Sequence, residues 1–205
     1  MKITDIVAII SDIILALSAV AATLFAWLAL RTWKSELTGK AKFETARSLM
    51  HLGFELKAYF EAARNPLTRS NEWIDRTRQE GEKKNVSEVL DLWHARANRL
   101  KPIVESFNKI IEAKWESEIL LNEVSAQKVK EAVQSYKESY IDLSTAISSY
   151  FDVRQDEART GESYHDQKWL KELNKTIFGG TPDDFSKKID EATEKLSSAL
   201  KQYVE

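Results

Sequence analysis

A long apolar run near the N-terminus limits what this chain can fold into more than any other feature. The run, IVAIISDIILALSAVAATLFAWLAL, covers residues 6–30 and contains one charged residue, Asp12. A helix of about 20 apolar residues crosses the hydrocarbon core of a bilayer, so this run is long enough to span one with some tilt. The sequence therefore predicts a short tail at residues 1–5, a transmembrane helix at 6–30 and a separate domain at 31–205.

Two alternatives to a retained anchor are open. Lys2 and the small residues Ala19-Val20-Ala21 resemble the start and the cleavage site of a signal peptide. However, the apolar run continues past that site to Leu30, and Asp12 interrupts the part that a signal peptide keeps apolar. A buried helix of a soluble protein is the other alternative. The length of the run favours the anchor over both.

The positive residues around the run predict its orientation. Only Lys2 precedes it, whereas five basic residues follow closely: Arg31, Lys34, Lys40, Lys42 and Arg47. Because Lys and Arg in short flanks stay on the cytoplasmic side, we expect a single-pass protein with its N-terminus outside and residues 31–205 in the cytoplasm. The chain has no cysteine, which fits a reducing compartment.

Composition and periodicity predict an all-α fold. Charged residues make up 30% of the chain, aromatic residues 10%, and the net charge is −2. This balance argues against a disordered chain and against a general nucleic-acid binder. Apolar residues recur at three- and four-residue steps in four long segments, and no strand-like alternation is present. We therefore expect a cytoplasmic helical bundle of about four long helices.

Each of the four segments carries an apolar stripe that predicts the buried face of a helix. Pro102 lies inside the second stripe, where we expect a kink or a short break. The stripes are Ala46, Leu49, Gly53, Leu56, Phe60 and Ala63 in the first helix, Trp93, Ala97, Leu100, Val104, Phe107 and Ile111 in the second, Val129, Val133, Tyr136, Tyr140, Leu143, Ile147 and Phe151 in the third, and Phe185, Ile189, Ala192, Leu196, Ala199 and Tyr203 in the last.

Caps and breakers predict the helix ends. The first cytoplasmic helix is expected over residues 35–64, with a bend or restart at Gly39. Hydroxyl side chains suit the first position of a helix, so Ser87, Ser125 and Thr181 are the expected caps of the following long helices.

Arg159 and His165 form the one pair with a catalytic pattern, in a glycine-containing segment that we expect to be a loop. Histidine transfers protons near neutral pH, and an arginine fork holds phosphate. The R-x5-H spacing, with the polar Thr160 after the arginine, resembles the signature of HEPN-type helical ribonucleases. In that family the two residues meet across a dimer at the scissile phosphate. The resemblance implies a ribonuclease, and the alternative is a solvated loop.

The sequence predicts neither a cofactor nor a metal site. It has no glycine-rich phosphate loop and no zinc-ligand spacing. The three histidines, His51, His94 and His165, lie on separate segments. An E-x-x-H pattern occurs at 162–165, but a di-iron bundle needs a second copy, which the chain lacks.

A seven-residue repeat in the apolar run predicts an oligomer face. It consists of Asp5, Asp12, Ala19 and Ala26. Small residues let membrane helices approach closely, and carboxylates avoid hydrocarbon by facing partners. Several parallel copies in a ring would form a pore with Asp12 as an acidic collar. The alternative places Asp12 among the lipid headgroups and treats the alanines as ordinary residues of a membrane helix.

Scattered positions resemble a group of uncharacterised bacterial proteins with one N-terminal membrane helix and a cytoplasmic helical part. These positions are Trp33-x-x-Glu36-Leu37-x-Gly39-Lys40, Arg64-Asn65-Pro66, and Phe178-Gly179-Gly180 with Asp183-Asp184. The anchor, the helical part and the R-x5-H pattern together resemble the membrane-anchored HEPN-like accessory proteins of type VI CRISPR systems. That resemblance implies a bacterial inner membrane, a link to membrane pores and a role in antiviral defence.

Three functions are consistent with these features. The first is a membrane-anchored oligomeric effector or scaffold, with a pore as its specific form. The second is a membrane-tethered ribonuclease that acts through Arg159 and His165. The third is a non-catalytic anchored adaptor that binds a cytosolic protein. Membrane lipid is a partner in all three, a second copy of the chain in the first, and nucleic acid only in the second.

Overall fold

The computed structural model describes residues 3–163, 166–179 and 183–205, with the side chains of the first helix described from residue 13 onward. No strand occurs in this part of the chain, and the prediction of an all-α chain is confirmed. Its α-helices are α1 (Ile3–Arg64), α2 (Lys84–Leu120), α3 (Glu123–Thr160), α4 (Gln167–Phe178) and α5 (Asp184–Leu200). Two short 3-10 helices, Ser70–Trp73 and Lys201–Tyr203, follow α1 and α5.

The chain divides into an N-terminal unit, Met1–Glu44, and a helical unit, Thr45–Glu205. In the N-terminal unit, every side chain from residue 13 to residue 40 is exposed. By length and composition, this is the one helix among the described residues that is long and apolar enough to cross a membrane. The hydroxyls of Ser18 and Thr23 each donate to the carbonyl four residues earlier, at 2.8 Å. Both hydroxyls are therefore satisfied within their own helix.

One hydrophobic core in the helical unit is shared by α1, α2, α3 and α5, with Ile177 added from α4. The buried Tyr136 of α3 joins three of these helices, because its hydroxyl lies 2.7 Å from Thr193 Oγ1 on α5 and donates to Gly53 O on α1 at 3.4 Å. Its ring stacks 6.5 Å from Phe60. Burial raises the pKa of Tyr136 to about 12. A Cβ atom at Gly53 would lie 2.5 Å from Leu196 Cδ2, so glycine permits the close approach of α1 and α5.

Three of the four predicted stripes are confirmed as core faces. The stripe of α1 is fully buried, and those of α3 and α5 are buried except for three half-buried aromatic residues, Tyr140, Phe185 and Tyr203.

The predicted stripe of α2 is not its core face. Trp93 and Val104 are 40% and 39% exposed. The side chains that α2 buries instead are Val86, Asp91, Ala95, Arg96, Ile103, Ser106, Ile110, Ala113 and Ser117. A pattern search for apolar residues misses this face because four of its members are polar.

The expected restart at Gly39 and the expected break at Pro102 are absent. Helix α1 continues through Gly39, and α2 continues through Pro102. Glycine costs only about 1 kcal/mol relative to alanine inside a helix, and good helix formers surround Gly39. Proline removes one backbone hydrogen bond, but the neighbouring Ile103 and Ser106 are buried and hold α2 against the core.

Helices α3 and α5 are capped by Asx residues rather than by the predicted hydroxyls, and α2 begins after Lys83 without a side-chain cap. Asn122 caps α3 by accepting from Ser125 N at 2.8 Å, and Asp183 caps α5 by accepting from Ser186 N at 2.7 Å. Ser125 is therefore the third residue of its helix, and Ser87 lies inside α2, which begins at Lys84. Thr181, the expected cap of the last helix, lies outside the described residues.

Candidate functional site

The predicted catalytic pair falls at the end of α3. Arg159 is exposed on the last turn of this helix, so the prediction that it lies in a loop is wrong. Gly161 caps the carboxyl end of α3 with a φ of 79°, a left-handed conformation that suits glycine. His165 lies outside the described residues, so the structure places one member of the pair.

The last two turns of α3 carry both acidic and basic residues, Asp156 and Glu157 beside Arg154 and Arg159. Glu157 accepts from Arg154 Nη1 at 2.7 Å and from Ser163 Oγ at 2.5 Å. Asp156 lies one turn before Thr160, whose hydroxyl donates to the Asp156 carbonyl at 2.9 Å. An RNA backbone is bound where positive charge accumulates. The charge here is mixed, and a phosphate site at Arg159 would have to draw its further donors from elsewhere.

The predicted oligomer face lies on α1. Ala19 and Ala26 are exposed, and all four members of the repeat belong to this helix. Positions seven residues apart on one α-helix share a face. The side chains of Asp5 and Asp12 lie outside the described part. Near the end of the apolar run, the Arg31 guanidinium lies 5.7 Å from the centre of the Trp27 ring.

Several arginines at the end of the helical unit where α1 stops each make multiple hydrogen bonds, and sequence analysis missed them. Arg64 is buried, and each of its guanidinium nitrogens donates. Nε donates to Thr176 O at 2.8 Å, and Nη2 to Lys175 O at 3.0 Å, at the carboxyl end of α4. Nη1 and Nη2 also donate to the Asp183 carboxylate, and Nη1 to Ser186 Oγ.

The pair formed by Arg64 and Asp183 joins the end of α4 to the start of α5. Burial alone would raise the pKa of Asp183, but the hydrogen bonds from Arg64 and from Ser186 N outweigh it, and the pKa is lowered. The carboxylate therefore stays ionised and caps α5 while Arg64 caps α4.

Arg96 and Arg99 of α2 cap the carboxyl end of α1. Arg96 donates to the carbonyls of Ala63, Asn65 and Pro66 at 2.6–3.2 Å. Burial, followed by repulsion from Arg99, lowers the pKa of Arg96 to about 10, so this side chain remains charged at neutral pH. The last carbonyls of a helix have no partner within it, and two guanidinium groups supply that partner here.

The segment between α1 and α2 is fastened to α2 by further arginine–carboxylate pairs. Arg99 Nε donates to Glu72 at 2.6 Å. Arg76 donates to Asp91 at 2.5 Å and to Glu82 at 2.6 Å. The hydrogen bonds from Arg76 and then from Ser87 hold the pKa of Glu82 at about 2. These guanidinium groups are occupied by the protein itself, which gives them a structural role.

His51 and His94 each lie near one carboxylate. His51 is exposed, with Nδ1 3.7 Å from Glu55 Oε2, and His94 Nε2 lies 3.0 Å from Asp75 Oδ1. Within the described ranges, no group of three or more His, Asp or Glu side chains is arranged to hold a metal ion.

Searches with the whole chain against protein-family models, curated proteins and solved structures find no match.

Proposed function

We propose that this chain is a membrane-anchored helical scaffold that works as an oligomer, with its helical unit in the cytoplasm. The observation that carries this proposal is the uncovered apolar helix of the N-terminal unit. Between Ile13 and Trp33, eleven large apolar side chains are exposed, each by about half or more of its surface.

Water is an unfavourable environment for this helix. Burial of one large apolar side chain stabilises by about 1.5–3 kcal/mol, so the eleven half-exposed side chains together correspond to roughly 10 kcal/mol. This is comparable to the whole folding free energy of a typical domain. A lipid bilayer removes this cost, and the hydroxyls of Ser18 and Thr23 are already paired within the helix, as hydrocarbon requires.

The flanking residues support a cytoplasmic helical unit. Trp27 and Trp33 suit the interface between hydrocarbon and headgroups, and Arg31 and Lys34 lie beside them. Arg31 covers the Trp27 ring, an arrangement that keeps the guanidinium at the height of an interfacial tryptophan.

The oligomer follows from the repeat on α1. A single span offers no second membrane helix from its own chain, so the face of Ala19 and Ala26 packs against another copy. Parallel copies closing into a ring would place Asp12 at one mouth and conduct cations, which is the pore form of the same proposal.

Two measurements test the anchor and its face. Carbonate extraction should leave the full-length protein in the membrane fraction, whereas release into the supernatant would mean that another protein covers the apolar helix. The detergent-solubilised protein should have the mass of an oligomer, and Ala19→Leu/Ala26→Leu should reduce it. Ala21→Leu lies on the opposite side of α1 and should leave the mass unchanged. A monomeric wild type, or equal effects of both variants, would contradict the oligomer.

The ribonuclease and pore alternatives have separate tests. We expect the purified protein not to cut RNA, because a single loosely placed motif supports catalysis and Arg159 shares the last turns of α3 with the acidic Asp156 and Glu157. RNA cleavage that Arg159→Ala/His165→Ala abolishes would replace the scaffold with the ribonuclease. Ion flux in liposomes that Asp12→Asn alters would identify the pore form.

A further inference from the structure

The segment that leads from α1 to α2 lies against α2 without entering the core. We name residues 67–82 the α1–α2 strap. All of them belong to the described part of the chain, and none is buried. Leu67 and Ile74, two of its three large apolar residues, are 76% and 82% exposed. The hydrophobic core of the described residues includes no residue of the strap, so apolar burial contributes little to holding it in place.

Polar side chains of α2 hold the first half of the strap. Arg99 donates to Leu67 O at 2.5 Å and to the Glu72 carboxylate at 2.6 and 2.8 Å. Asp75 Oδ1 lies 3.0 Å from His94 Nε2. The Asp75 side chain is 69% exposed, and ion pairs this close to solvent contribute little to stability. The main attachment of this half is therefore Arg99.

One carboxylate of α2 holds the second half of the strap. Asp91 is buried, and it accepts from Arg76 Nε at 2.5 Å and from Arg78 Nη2 at 2.9 Å. The other nitrogens of Arg76 donate to Glu82, which belongs to the strap, and to Ser87 Oγ of α2 at 2.9 Å. Hydrogen bonds between two charged groups are stronger than those between neutral groups. Asp91 is therefore the strongest single attachment of the strap to α2.

The backbone of the strap has little structure of its own. It forms one short 3-10 helix, Ser70–Trp73, and isolated turns. Before the strap, Arg96 donates to the carbonyls of Asn65 and Pro66, and after it α2 begins at Lys84. Segments with few buried apolar contacts and an exposed backbone open at a lower free energy than the core around them.

We propose that the α1–α2 strap opens as one unit while the core helices stay packed, and that Asp91 controls how often it opens. Opening breaks polar contacts and removes no side chain from the core. It uncovers Asp91, His94 and Arg99, so this face of α2 becomes accessible to charged groups of another molecule. The device does not depend on the proposed membrane anchor, because every residue in it belongs to the helical unit.

Limited trypsin digestion of the full-length protein in detergent tests this proposal, because trypsin cleaves after arginine and lysine. The Arg76 side chain is only 9% exposed, so cleavage after it requires an open strap. Cleavage after the exposed Lys137, in the middle of α3, reports unfolding of the bundle. Asp91→Asn should speed cleavage after Arg76 by about tenfold and leave cleavage after Lys137 unchanged. The matched control is Glu88→Gln, an exposed residue one turn earlier on α2, which should change neither rate.

The two cleavage sites separate an opening strap from a loosened bundle. Wild-type cleavage after Arg76 that begins only together with cleavage after Lys137 would overturn the proposal. Equal effects of Asp91→Asn and Glu88→Gln would contradict the role of Asp91. If Asp91→Asn also speeds cleavage after Lys137, Glu72→Gln decides, because this residue lies in the strap and outside the core. It should speed cleavage after Arg76 alone, and an unchanged rate there would contradict a strap that opens as one unit.

Discussion

Single side chains fix the ends of the helices in this protein. Arg64 connects the last carbonyls of α4 with Asp183, the cap of α5. Arg96 and Arg99 donate to the free carbonyls at the end of α1. A planar fork with five donors fits such a place, whereas an ammonium offers three donors from one point. The identity of these residues therefore matters beyond their charge.

Arg64→Lys should lower the free energy of unfolding by at least about 2 kcal/mol, because several buried carbonyl and carboxylate oxygens lose a donor. Arg78→Lys is the control, since that side chain is 61% exposed and meets only Asp91 among the described residues. It should change stability by less than about 1 kcal/mol. Urea unfolding of both variants measures the difference, and equal effects would assign Arg64 a purely electrostatic role.

Gly53→Ala tests the close approach of α1 and α5. The added methyl group would meet the buried Leu196 at 2.5 Å, and overpacking of this kind costs about 1–3 kcal/mol. The gain in helix propensity returns about 1 kcal/mol, so we expect a net loss. Gly39→Ala has open space around its Cβ and should cause no loss. A Gly53→Ala protein as stable as the wild type would mean that Leu196 moves aside freely.

The buried face of a helix was predictable where the spacing of apolar residues alone decides which side chains enter the core. The stripes of α1, α3 and α5 follow from the 3.6-residue period, and all three reach the core. Helix α2 differs because polar groups decide its orientation. Arg96 donates to the carbonyls at the end of α1, and in this orientation Ile103 and Ile110 point into the core while the predicted apolar stripe of α2 points outward. Those partners lie about 30 residues away in sequence, so no local pattern reveals them.

Leu196→Ala should destabilise the helical unit by about 2–5 kcal/mol, because this side chain is fully buried between α5 and α1. Ile119→Ala removes a similar volume from an exposed position on α2 and should have little effect on unfolding. Thermal unfolding followed by circular dichroism compares the two. A similar loss for both would mean that Ile119 is covered in solution.

The candidate site was the part of the protein that the sequence predicted least well. Arg159 could be located only as part of a motif, and its position on a helix rather than a loop comes from the extension of α3 to Thr160. The buried arginines carry no motif at all, because their partners are backbone carbonyls that any residue supplies. For the molecule as a whole, the sequence shows the apolar run and the net charge directly, but it does not predict the polar contacts within the helical unit.

Acid should loosen the segment between α1 and α2. The folded pKa of Glu82 is about 2, and hydrogen bonds from Arg99 lower that of Glu72. Groups with depressed pKa values contribute stability above their unfolded pKa, near 4.5, and lose it as pH falls toward about 2. Amide chemical shifts of residues 70–82 should therefore change over this range. Glu82→Gln should remove most of the change near Arg76, and an unaltered titration would contradict the assignment to Glu82.

A reporter fused after Glu205 tests the orientation of the whole molecule. In the topology that we propose from the basic residues after the apolar run, this end is cytoplasmic, so a cytoplasmic reporter should be active and a periplasm-dependent one silent. Activity of the periplasm-dependent fusion would reverse the topology.

The contact between Arg64 and Asp183 joins residues 119 positions apart, and this separation affects how the protein is made. At roughly 5–20 residues per second, a ribosome needs about 6–24 s to progress from one to the other. Throughout that interval the apolar stripe at the end of α1 has no α5 to cover it. Under the anchored scaffold we propose, the apolar run therefore meets the membrane before the helical unit can complete its core.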